Sequence, residues 1–440
     1  MAKIGIVVLG CTNCYNQYHY LLKNLSAYNE LYLLKDGSCI KDLDYVIVQS
    51  CGFTEEAIRN NLDTLLAINE RMNNESKLLL AGCLNKVYNF KENFEKYFKN
   101  IYFFGNESWP VDVVNYVNND QIKFDDKEMC DINFDVYGDA PNVVSGSLTI
   151  EKGCNNHCTF CKTNYMNHPI TSIPYQAVLE YVNTLVHNGM KVIELVGDNL
   201  SKYGLDLENK QILHKLINEL LKIEDLEFIT LNGITIQDMY PDLLEMIKNN
   251  TKIRSSVIHL ETFSDNLLKL MGRGHSLKDC LNILDTLKSN DKLFISTVLM
   301  TGFPYETEDD LHKTIDYLKE YKLYIQAINP YSDSYMIPSG KLEQLPYEIR
   351  KEHFEIMKQY KNENQRDILE SYKKKLNKGF IIGKSNQYLL ADLGIHNFGI
   401  VNDISLNIGD AFSISDSDVL IKNDYSSKPV YRLKNIKKNS

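Results

Sequence analysis

Three cysteines lie close together near the middle of the chain, in the stretch Glu151-Lys-Gly-Cys-Asn-Asn-His-Cys-Thr-Phe-Cys161. Cys154, Cys158 and Cys161 have the spacing C-x3-C-x2-C. Three thiolates on one loop suit three irons of a cubane [4Fe–4S] cluster and leave the fourth iron open to a ligand that is not protein. A structural zinc site needs a fourth Cys or His, and the nearest candidate, His157, lies between the thiols. The spacing therefore favours an open cluster over a zinc knuckle.

An aromatic residue, Phe160, directly precedes the last of these cysteines. This loop resembles the signature of the radical S-adenosylmethionine (SAM) enzymes. The resemblance implies that Cys154, Cys158 and Cys161 carry the catalytic cluster and that its open iron binds SAM. It implies that reduction splits SAM into methionine and a 5′-deoxyadenosyl radical, which abstracts hydrogen from an unactivated C–H bond. It also implies an electron donor of the flavodoxin or ferredoxin type.

Composition sets broad limits on the rest of the chain. The 440 residues are 44% hydrophobic and 24% charged, which is typical of a globular protein with two or three domains. The formal net charge of −10 gives no support to nucleic-acid binding. The apolar N-terminal run predicts a strand rather than a signal peptide, and no run approaches the length of a membrane span. Ten cysteines indicate metal or redox chemistry rather than disulfides, so we expect a cytoplasmic protein without membrane contact.

The first third of the chain alternates short apolar runs with helical patterns, which predicts an open parallel α/β sheet. The predicted strands are Ile4–Leu9, Tyr45–Gln49, Lys77–Ala81 and Ile101–Phe104.

A cysteine follows each of the first three strands closely: Cys11, Cys51 and Cys83. Ligands of such sheets bind beyond the carboxyl ends of the strands, so these thiols are expected to converge and to hold a second cluster with an open iron. The alternative is three buried core cysteines. The role of Cys14, three residues after Cys11, stays undecided. The remaining cysteines are interpreted as ordinary: Cys39, Cys130 and Cys280.

Three segments resemble the methylthiotransferases, a radical-SAM family with an N-terminal three-cysteine domain: Leu9-Gly-Cys11, Ser50–Ala57 and Ala81-Gly-Cys83. The resemblance implies that one SAM methylates sulfur on the N-terminal cluster while another supplies the radical, so that –SCH3 is placed on carbon. Cys51-Gly-Phe followed by Ala57 resembles the branch that modifies a ribosomal-protein aspartate more than the branch that modifies tRNA adenosine. The sequence departs from the family at Cys14 and in having no arginine soon after Cys161.

Residues after 145 again alternate strands and helices, which predicts a partial parallel (β/α)6 barrel with its active-site groups on the loops after the strands. The predicted strands are Lys191–Val196, Glu227–Leu231, Ser256–Leu260, Phe294–Met300 and Leu323–Ile328.

Several loops after these strands resemble the SAM-binding segments of the family. A carboxylate at Glu261 suits the ribose hydroxyls, and Arg273 suits a carboxylate of SAM or substrate. Gly302 and Pro304 predict a tight strand-to-helix turn that lets the backbone approach an adenosine. The alternatives without a binding role are a solvated strand end for Glu261 and a surface position for Arg273. The resemblance implies this set of SAM contacts: Phe160, Gly197, Asp198, Glu261, Arg273, Gly302 and Pro304.

The last part of the chain predicts a solvated helix, Pro346–Lys375, followed by a small antiparallel β-barrel. The resemblance implies that this TRAM-like barrel binds substrate. Its aspartates favour a basic peptide over phosphates, and the basic tail, Arg432–Lys438, is expected to be solvated. The aspartates are Asp392, Asp403, Asp410, Asp416 and Asp418.

These expectations define three domains: residues 1–125 with the second cluster, a linker at 126–144, a radical-SAM domain at 145–372 and the C-terminal barrel at 373–440. We expect a methylthiotransferase with two [4Fe–4S] clusters facing one pocket. Its expected substrate is a side chain of a protein or peptide, such as an aspartate of a ribosomal protein. Methylthiolation of a tRNA adenosine is the alternative. A two-cluster electron-transfer or sulfur-carrier protein is the alternative of another class.

Overall fold

The computed structural model describes residues 1–9, 15–34, 42–52, 54–87, 89–105, 109–118, 144–163, 169–334, 336–384, 388–395, 398–401, 405–415, 419–423, 429–434 and 436–438. The chain divides into two compact units. The first contains the described residues up to 118 together with those of 332–337, and the second contains the others. Among the residues that the structure describes, no helix combines the length and hydrophobicity of a membrane span.

The first unit is built on a five-stranded parallel sheet in the order β2-β1-β3-β4-β5. The sheet confirms the predicted open parallel fold, with one edge strand, β2, that the sequence did not predict. The strands are β1 Lys3–Val8, β2 Glu30–Leu33, β3 Tyr45–Ser50, β4 Lys77–Gly82 and β5 Ile101–Phe104. The helices are α1 Tyr15–Ser26, α2 Glu55–Arg71, α3 Phe90–Phe94 and α4 Trp109–Val117.

The central strand β3 is buried on both faces, which explains its continuous apolar run. Val46 and Val48 pack in one core with Ile58 and Leu65 of α2. Ile47 points to the other face and packs in a second core with side chains of α1 and α4. Because both faces are covered, the functional surface of this unit is expected at the strand ends.

The second unit contains a seven-stranded sheet in the order β12-β11-β10-β9-β8-β6-β7. All neighbours pair in parallel except β7, which is antiparallel to β6. Six parallel strands with helical connections confirm the predicted barrel-type domain. The strands are β6 Ser145–Lys152, β7 Thr171–Ser172, β8 Val192–Gly197, β9 Phe228–Thr235, β10 Ile253–Glu261, β11 Phe294–Thr301 and β12 Tyr324–Pro330. The helices are α5 Tyr175–His187, α6 Leu205–Glu208, α7 Leu213–Leu220, α8 Pro241–Asn249, α9 Asp265–Leu270, α10 Leu277–Leu287 and α11 Glu308–Tyr321.

The C-terminal part consists of helix α12, Tyr347–Lys373, and a seven-stranded sheet in the order β17-β18-β15-β14-β13-β16-β19. The predicted antiparallel sheet is confirmed, with the difference that β15 and β18 pair in parallel. The strands are β13 Lys378–Lys384, β14 Leu389–Asp392, β15 Phe398–Val401, β16 Ala411–Ser413, β17 Val419–Asn423, β18 Pro429–Leu433 and β19 Lys437–Lys438.

Two expectations about solvent exposure in this region were wrong. Helix α12 is not merely a solvated connector, because Met357, Leu369 and Tyr372 are buried and the last two join the core of the C-terminal sheet. The basic tail is not free in solvent either, because it supplies the end of β18 and all of β19, and its Leu433 and Ile436 are buried. Tyr431 of β18 is fully buried and its hydroxyl donates to the Leu369 carbonyl at 2.7 Å. Neither contact was predicted, because the apolar residues of both segments form a narrow stripe among many charged residues.

The C-terminal sheet packs against the amino-terminal ends of the barrel strands. Phe380 of β13 meets Phe228, the first residue of β9, with ring centroids 5.7 Å apart. Lys378 forms an ion pair with Glu227 at 2.5 Å, and Phe294 at the start of β11 belongs to the core of the C-terminal sheet. This end of the barrel is therefore covered, and the carboxyl ends of the strands carry the site.

Candidate active site

The cysteine loop leaves the carboxyl end of β6 and is fastened on several sides. Gly153 N donates to Asp198 Oδ2 at 2.8 Å, just after β8. Thr159 N donates to the Met271 carbonyl at 2.8 Å, and the Thr159 carbonyl accepts from Ser339 Oγ at 2.8 Å. Since three separate segments hold the loop backbone, its thiols are presented in a fixed arrangement.

The three loop cysteines are thiols, none of them in a disulfide. Burial raises the pKa of Cys161 to about 11, with hydrogen bonds from Thr163 acting against the rise and the charges of Cys158 and Cys154 adding to it. Burial also raises the pKa of Cys154. Thiolates in such surroundings are stable only with a positive partner such as a metal. The donor set therefore fits a metal cluster.

Within the described ranges, no three His, Cys, Asp or Glu side chains converge closely enough to hold a single metal ion. A cubane cluster does not require such convergence, because each thiolate binds a different iron.

Glu261 ends β10 in a strained conformation with φ of +65°. Its side chain is buried, and its Oε2 has no hydrogen-bond partner among the residues that the structure describes. Burial raises the pKa of this carboxyl, while the charge of Arg273 acts in the opposite direction. A strained residue with an orphaned acceptor is typical of a ligand site, which favours binding over the solvated strand end.

Arg273 is buried rather than on the surface, with 8% of its area exposed. Its Nη1 lies 3.6 Å from Cys158 Sγ, and its Nη2 donates to the His259 carbonyl at 2.6 Å. Although burial acts to lower it, the pKa of Arg273 is raised by the charges of Glu261 and Cys158. The guanidinium thus links the Cys158 thiol to the strand that carries Glu261.

The other residues expected from the family resemblance to contact SAM lie at the same end of the barrel. Gly197 ends β8 where a Cβ would lie 2.5 Å from Glu151 Oε2, so a side chain would not fit. Asp198 is engaged with the cysteine loop through Gly153. Phe160 is half-buried in the loop itself.

The Gly302 turn after β11 is held by helix α12. Gly302 has φ of +75°, and its N–H donates to Glu306 Oε2 at 2.6 Å. The same oxygen lies 2.7 Å from His353 Nδ1. Pro304 is buried in the turn. The tight turn predicted from the sequence is confirmed, and the capped start of α11 at Glu308 follows it directly.

Sequence reasoning missed several polar residues near the cysteine loop. Asn199 and Asp238 contact it directly, and Glu151 is buried with Oε1 unpaired among the described residues. Both ring nitrogens of His275 are buried and lack partners in the described chain, and burial together with the charge of Arg273 lowers the pKa of His275 to about 4. Glu151, Asn199 and His275 lie in segments that resemble the family, but those segments do not predict the contacts. Asp238 lies in no such segment, and its contacts join residues that are distant in sequence.

Two of the predicted N-terminal cysteines lie side by side. Cys51 follows β3 and Cys83 follows β4, and the last residues of these strands, Ser50 and Gly82, are paired. A Cβ on Gly52 would lie 2.8 Å from the Cys83 carbonyl oxygen, so the two turns are in close contact. The predicted third member, Cys11, and the undecided Cys14 lie outside the described residues, as do Cys39 and Cys130. Cys280 is buried in α10.

A partial parallel barrel with three thiols and buried charged groups at the carboxyl ends of its strands is the arrangement expected of an enzyme domain that holds a metal cluster. Comparison with known families agrees. Residues 148–318 match the model of the radical SAM superfamily. Residues 3–105 match a family described as the uncharacterized protein family UPF0004.

Individual relatives span most of the chain. The ribosomal protein uS12 methylthiotransferase RimO of Clostridium botulinum (strain Eklund 17B / Type B) is 31% identical over 397 residues, covering 84% of this chain and 85% of that protein. The threonylcarbamoyladenosine tRNA methylthiotransferase MtaB of Aquifex aeolicus (strain VF5) is 32% identical over 238 residues, covering 53% and 58%. The fold is shared with the radical SAM methyltransferase TsrM of Kitasatospora setae, at a TM-score of 0.54 and 10% identity over 77% of this chain and 75% of that one.

The chain belongs to the radical SAM methylthiotransferase family. It is therefore an enzyme, and the alternative of a plain electron-transfer or sulfur-carrier protein is set aside. Membership implies SAM and a [4Fe–4S] cluster as cofactors.

Proposed function

We propose that this enzyme places a methylthio group on an aspartate side chain of a ribosomal protein of the uS12 class. The observation that carries the proposal is the likeness to a uS12 methylthiotransferase, which extends over 84% of the chain and 85% of that protein. The acidic C-terminal sheet contributes less support than the sequence suggested. Asp392 is buried, where it accepts hydrogen bonds from Ser145 and Gly394 and is not offered to a peptide.

Residue roles follow from chemistry and placement. Cys154, Cys158 and Cys161 hold the radical-generating [4Fe–4S] cluster, and Cys11, Cys51 and Cys83 hold a second one. When bound, the cluster and SAM supply the 5′-deoxyadenosyl radical that removes hydrogen from the substrate carbon, and a second SAM supplies the methyl group. A flavodoxin or ferredoxin donates the electron.

The SAM contacts are assigned to residues at the carboxyl ends of the strands. Glu261 offers its unpaired Oε2 to the ribose hydroxyls. Arg273, which contacts Cys158 Sγ and the His259 carbonyl, offers its guanidinium to a carboxylate of SAM or substrate. The turn at Gly302 and Pro304 brings backbone close to the adenine. Phe160, Gly197 and Asp198 complete the set by packing around the cysteine loop.

The first test is cluster content and SAM cleavage. After anaerobic reconstitution we expect about eight irons per chain, and about four when either set of three cysteines is replaced by alanine. Cys154→Ala should stop release of 5′-deoxyadenosine under dithionite, whereas the matched control Cys280→Ala should leave it unchanged. Wild-type protein with only about four irons would contradict the second cluster.

The second test identifies the substrate. Reconstituted enzyme is incubated with SAM, dithionite and either uS12-type ribosomal protein or unmodified tRNA, and each is analysed by mass spectrometry. Replacing a C–H hydrogen by –SCH3 adds CH2S, and we expect this gain on an aspartate-containing peptide. The likeness to a tRNA methylthiotransferase over 53% of the chain makes tRNA the second candidate. A gain on adenosine alone would overturn the protein substrate.

A further inference from the structure

A buried ion pair lies beneath the cysteine loop, between the segments that follow β8 and β9. Lys202 Nζ and Asp238 Oδ1 are 3.4 Å apart, and the two side chains are 11% and 13% exposed. Burying both charges is costly unless the geometry and additional hydrogen bonds compensate. The partners of the two side chains therefore indicate what the pair does.

Both members of the pair hold asparagines of the cysteine loop. Lys202 Nζ donates to the side-chain oxygens of Asn155 and, at 2.6 Å, Asn156. Asp238 Oδ2 accepts from Asn156 Nδ2 at 2.6 Å. The amide of Asn156 is thus fixed at both ends, which orients the backbone N–H of Asn156 toward Cys154 Sγ at 3.4 Å.

A second amide, in the side chain of Asn199, lies near the same sulfur. Asn199 Nδ2 lies 3.6 Å from Cys154 Sγ and also donates to Asp238 Oδ2 at 2.7 Å. Its oxygen accepts from Thr235 Oγ1 at 3.1 Å, and the residue is fully buried. Asn199 has no rotational freedom in this arrangement, so its N–H is preorganised toward the thiol.

We propose that Asp238 and Lys202 are positioning residues that aim the N–H groups of Asn156 and Asn199 at Cys154, and that these hydrogen bonds raise the reduction potential of the cluster. The proposal rests on the assignment of Cys154 as a cluster ligand. Reduction adds one electron and makes the cluster and its thiolates more negative, and donors aimed at a ligand sulfur stabilise that form. The network would make the first electron easier to accept from a cellular donor.

The test is a redox titration of the reconstituted protein, followed by the electron paramagnetic resonance signal of the one-electron-reduced cluster. The N-terminal cysteines are replaced by alanine in all samples so that one cluster is observed. Asn199→Leu removes a donor without adding charge. At the wild-type midpoint we expect the ratio of oxidised to reduced cluster to rise about tenfold, which for a one-electron couple is about 59 mV.

The matched control is Asn218→Leu on α7, where the asparagine is exposed. It should leave the ratio unchanged, and a similar shift in both variants would overturn the proposal. An unchanged ratio in Asn199→Leu with normal iron content would also overturn it. If Asn199→Leu binds no iron, Thr235→Val serves instead. It keeps the shape and the charge but removes the hydroxyl that holds Asn199 and Asp238, and we expect about a threefold change in the same direction.

Failure of the underlying assignment is distinguishable from failure of the network. If Cys154→Ala keeps the wild-type resonance signal and iron content, Cys154 is not a ligand and the proposed site itself is wrong. If Cys154→Ala loses the signal while Asn199→Leu and Thr235→Val titrate like wild type, the site stands and the network does not set its potential. Thermal unfolding of the iron-free variants controls for a merely structural effect, which would lower stability without moving the potential.

Discussion

Replacing His353 by leucine would test the buried pair that fastens the Gly302 turn to helix α12. His353 Nδ1 lies 2.7 Å from Glu306 Oε2, and the same oxygen accepts from Gly302 N at 2.6 Å. Glu306 and His353 are each 5% exposed, so water cannot easily replace a lost partner. We expect His353→Leu to loosen the turn locally while the barrel stays folded, because the carboxylate keeps only one donor.

The cost of losing one partner of a buried pair sets the size of the effect of His353→Leu. Removing one partner of a buried pair costs about 3–5 kcal/mol. We therefore expect the free energy of local opening to fall by about 3 kcal/mol, which corresponds to amide exchange more than about a hundredfold faster.

The assay is hydrogen–deuterium exchange of peptides that cover residues 300–306, at pH 7. The matched control is His214→Leu, whose partner Asp242 is 75% exposed, so that pair should contribute less than about 1 kcal/mol. Adding Glu306→Gln to His353→Leu removes the buried charge and should restore much of the protection. The reasoning is refuted if His353→Leu exchanges within about threefold of wild type, or if the double variant is as fast as the single one.

Three further outcomes follow from the same structure. The hydrogen bond to Glu306 raises the pKa of His353, so the pair's stabilisation is complete below the ordinary histidine pKa of about 6.5 and is lost as the pH rises through the raised value; protection at 300–306, measured as exchange relative to the intrinsic rate at each pH, should fall over that range in wild type but not in His353→Leu. Gly302→Ala should cost about 1–2 kcal/mol and lower the melting temperature, because φ is +75° and a Cβ would lie 3.0 Å from Arg350 Cβ; an unchanged melting temperature would contradict the strain. Tyr431→Phe should destabilise the C-terminal sheet by about 1–2 kcal/mol with unchanged iron content, because the Leu369 carbonyl loses its donor; denaturant unfolding and iron analysis check both parts.

Barrel strands and cysteines were the predictable part of this molecule. Strands buried on both faces carry continuous apolar runs, so β3, β8 and β11 stand out from the sequence. Gly302 and Pro304 mark a turn because only certain backbone conformations follow a strand so tightly. The edge strand β2 was missed because three of its four residues are exposed and its pattern carries little burial signal.

The polar network around Cys154 could not be predicted from the sequence. Asn156 and Asp238 are 82 positions apart, and neither belongs to a motif that marks the other. An aspartate after a strand is usually a solvated turn residue, so only the fold shows that Asp238 is buried beside Lys202. Interactions that depend on long-range packing carry no local signal, whereas the spacing of three cysteines does.

The placement of the C-terminal sheet fixes its distance from the three thiols of the cysteine loop. The sheet rests on the amino-terminal ends of the barrel strands, and the thiols lie at the opposite ends, so a strand of eight residues such as β6 separates them by about 25 Å. A molecule that touches both places must reach along the flank of the barrel for that distance. A free amino acid, or a peptide of fewer than about eight extended residues, is too small to do so. Binding to this sheet would therefore select for large molecules, whereas the reacting carbon would be selected at the other end of the barrel.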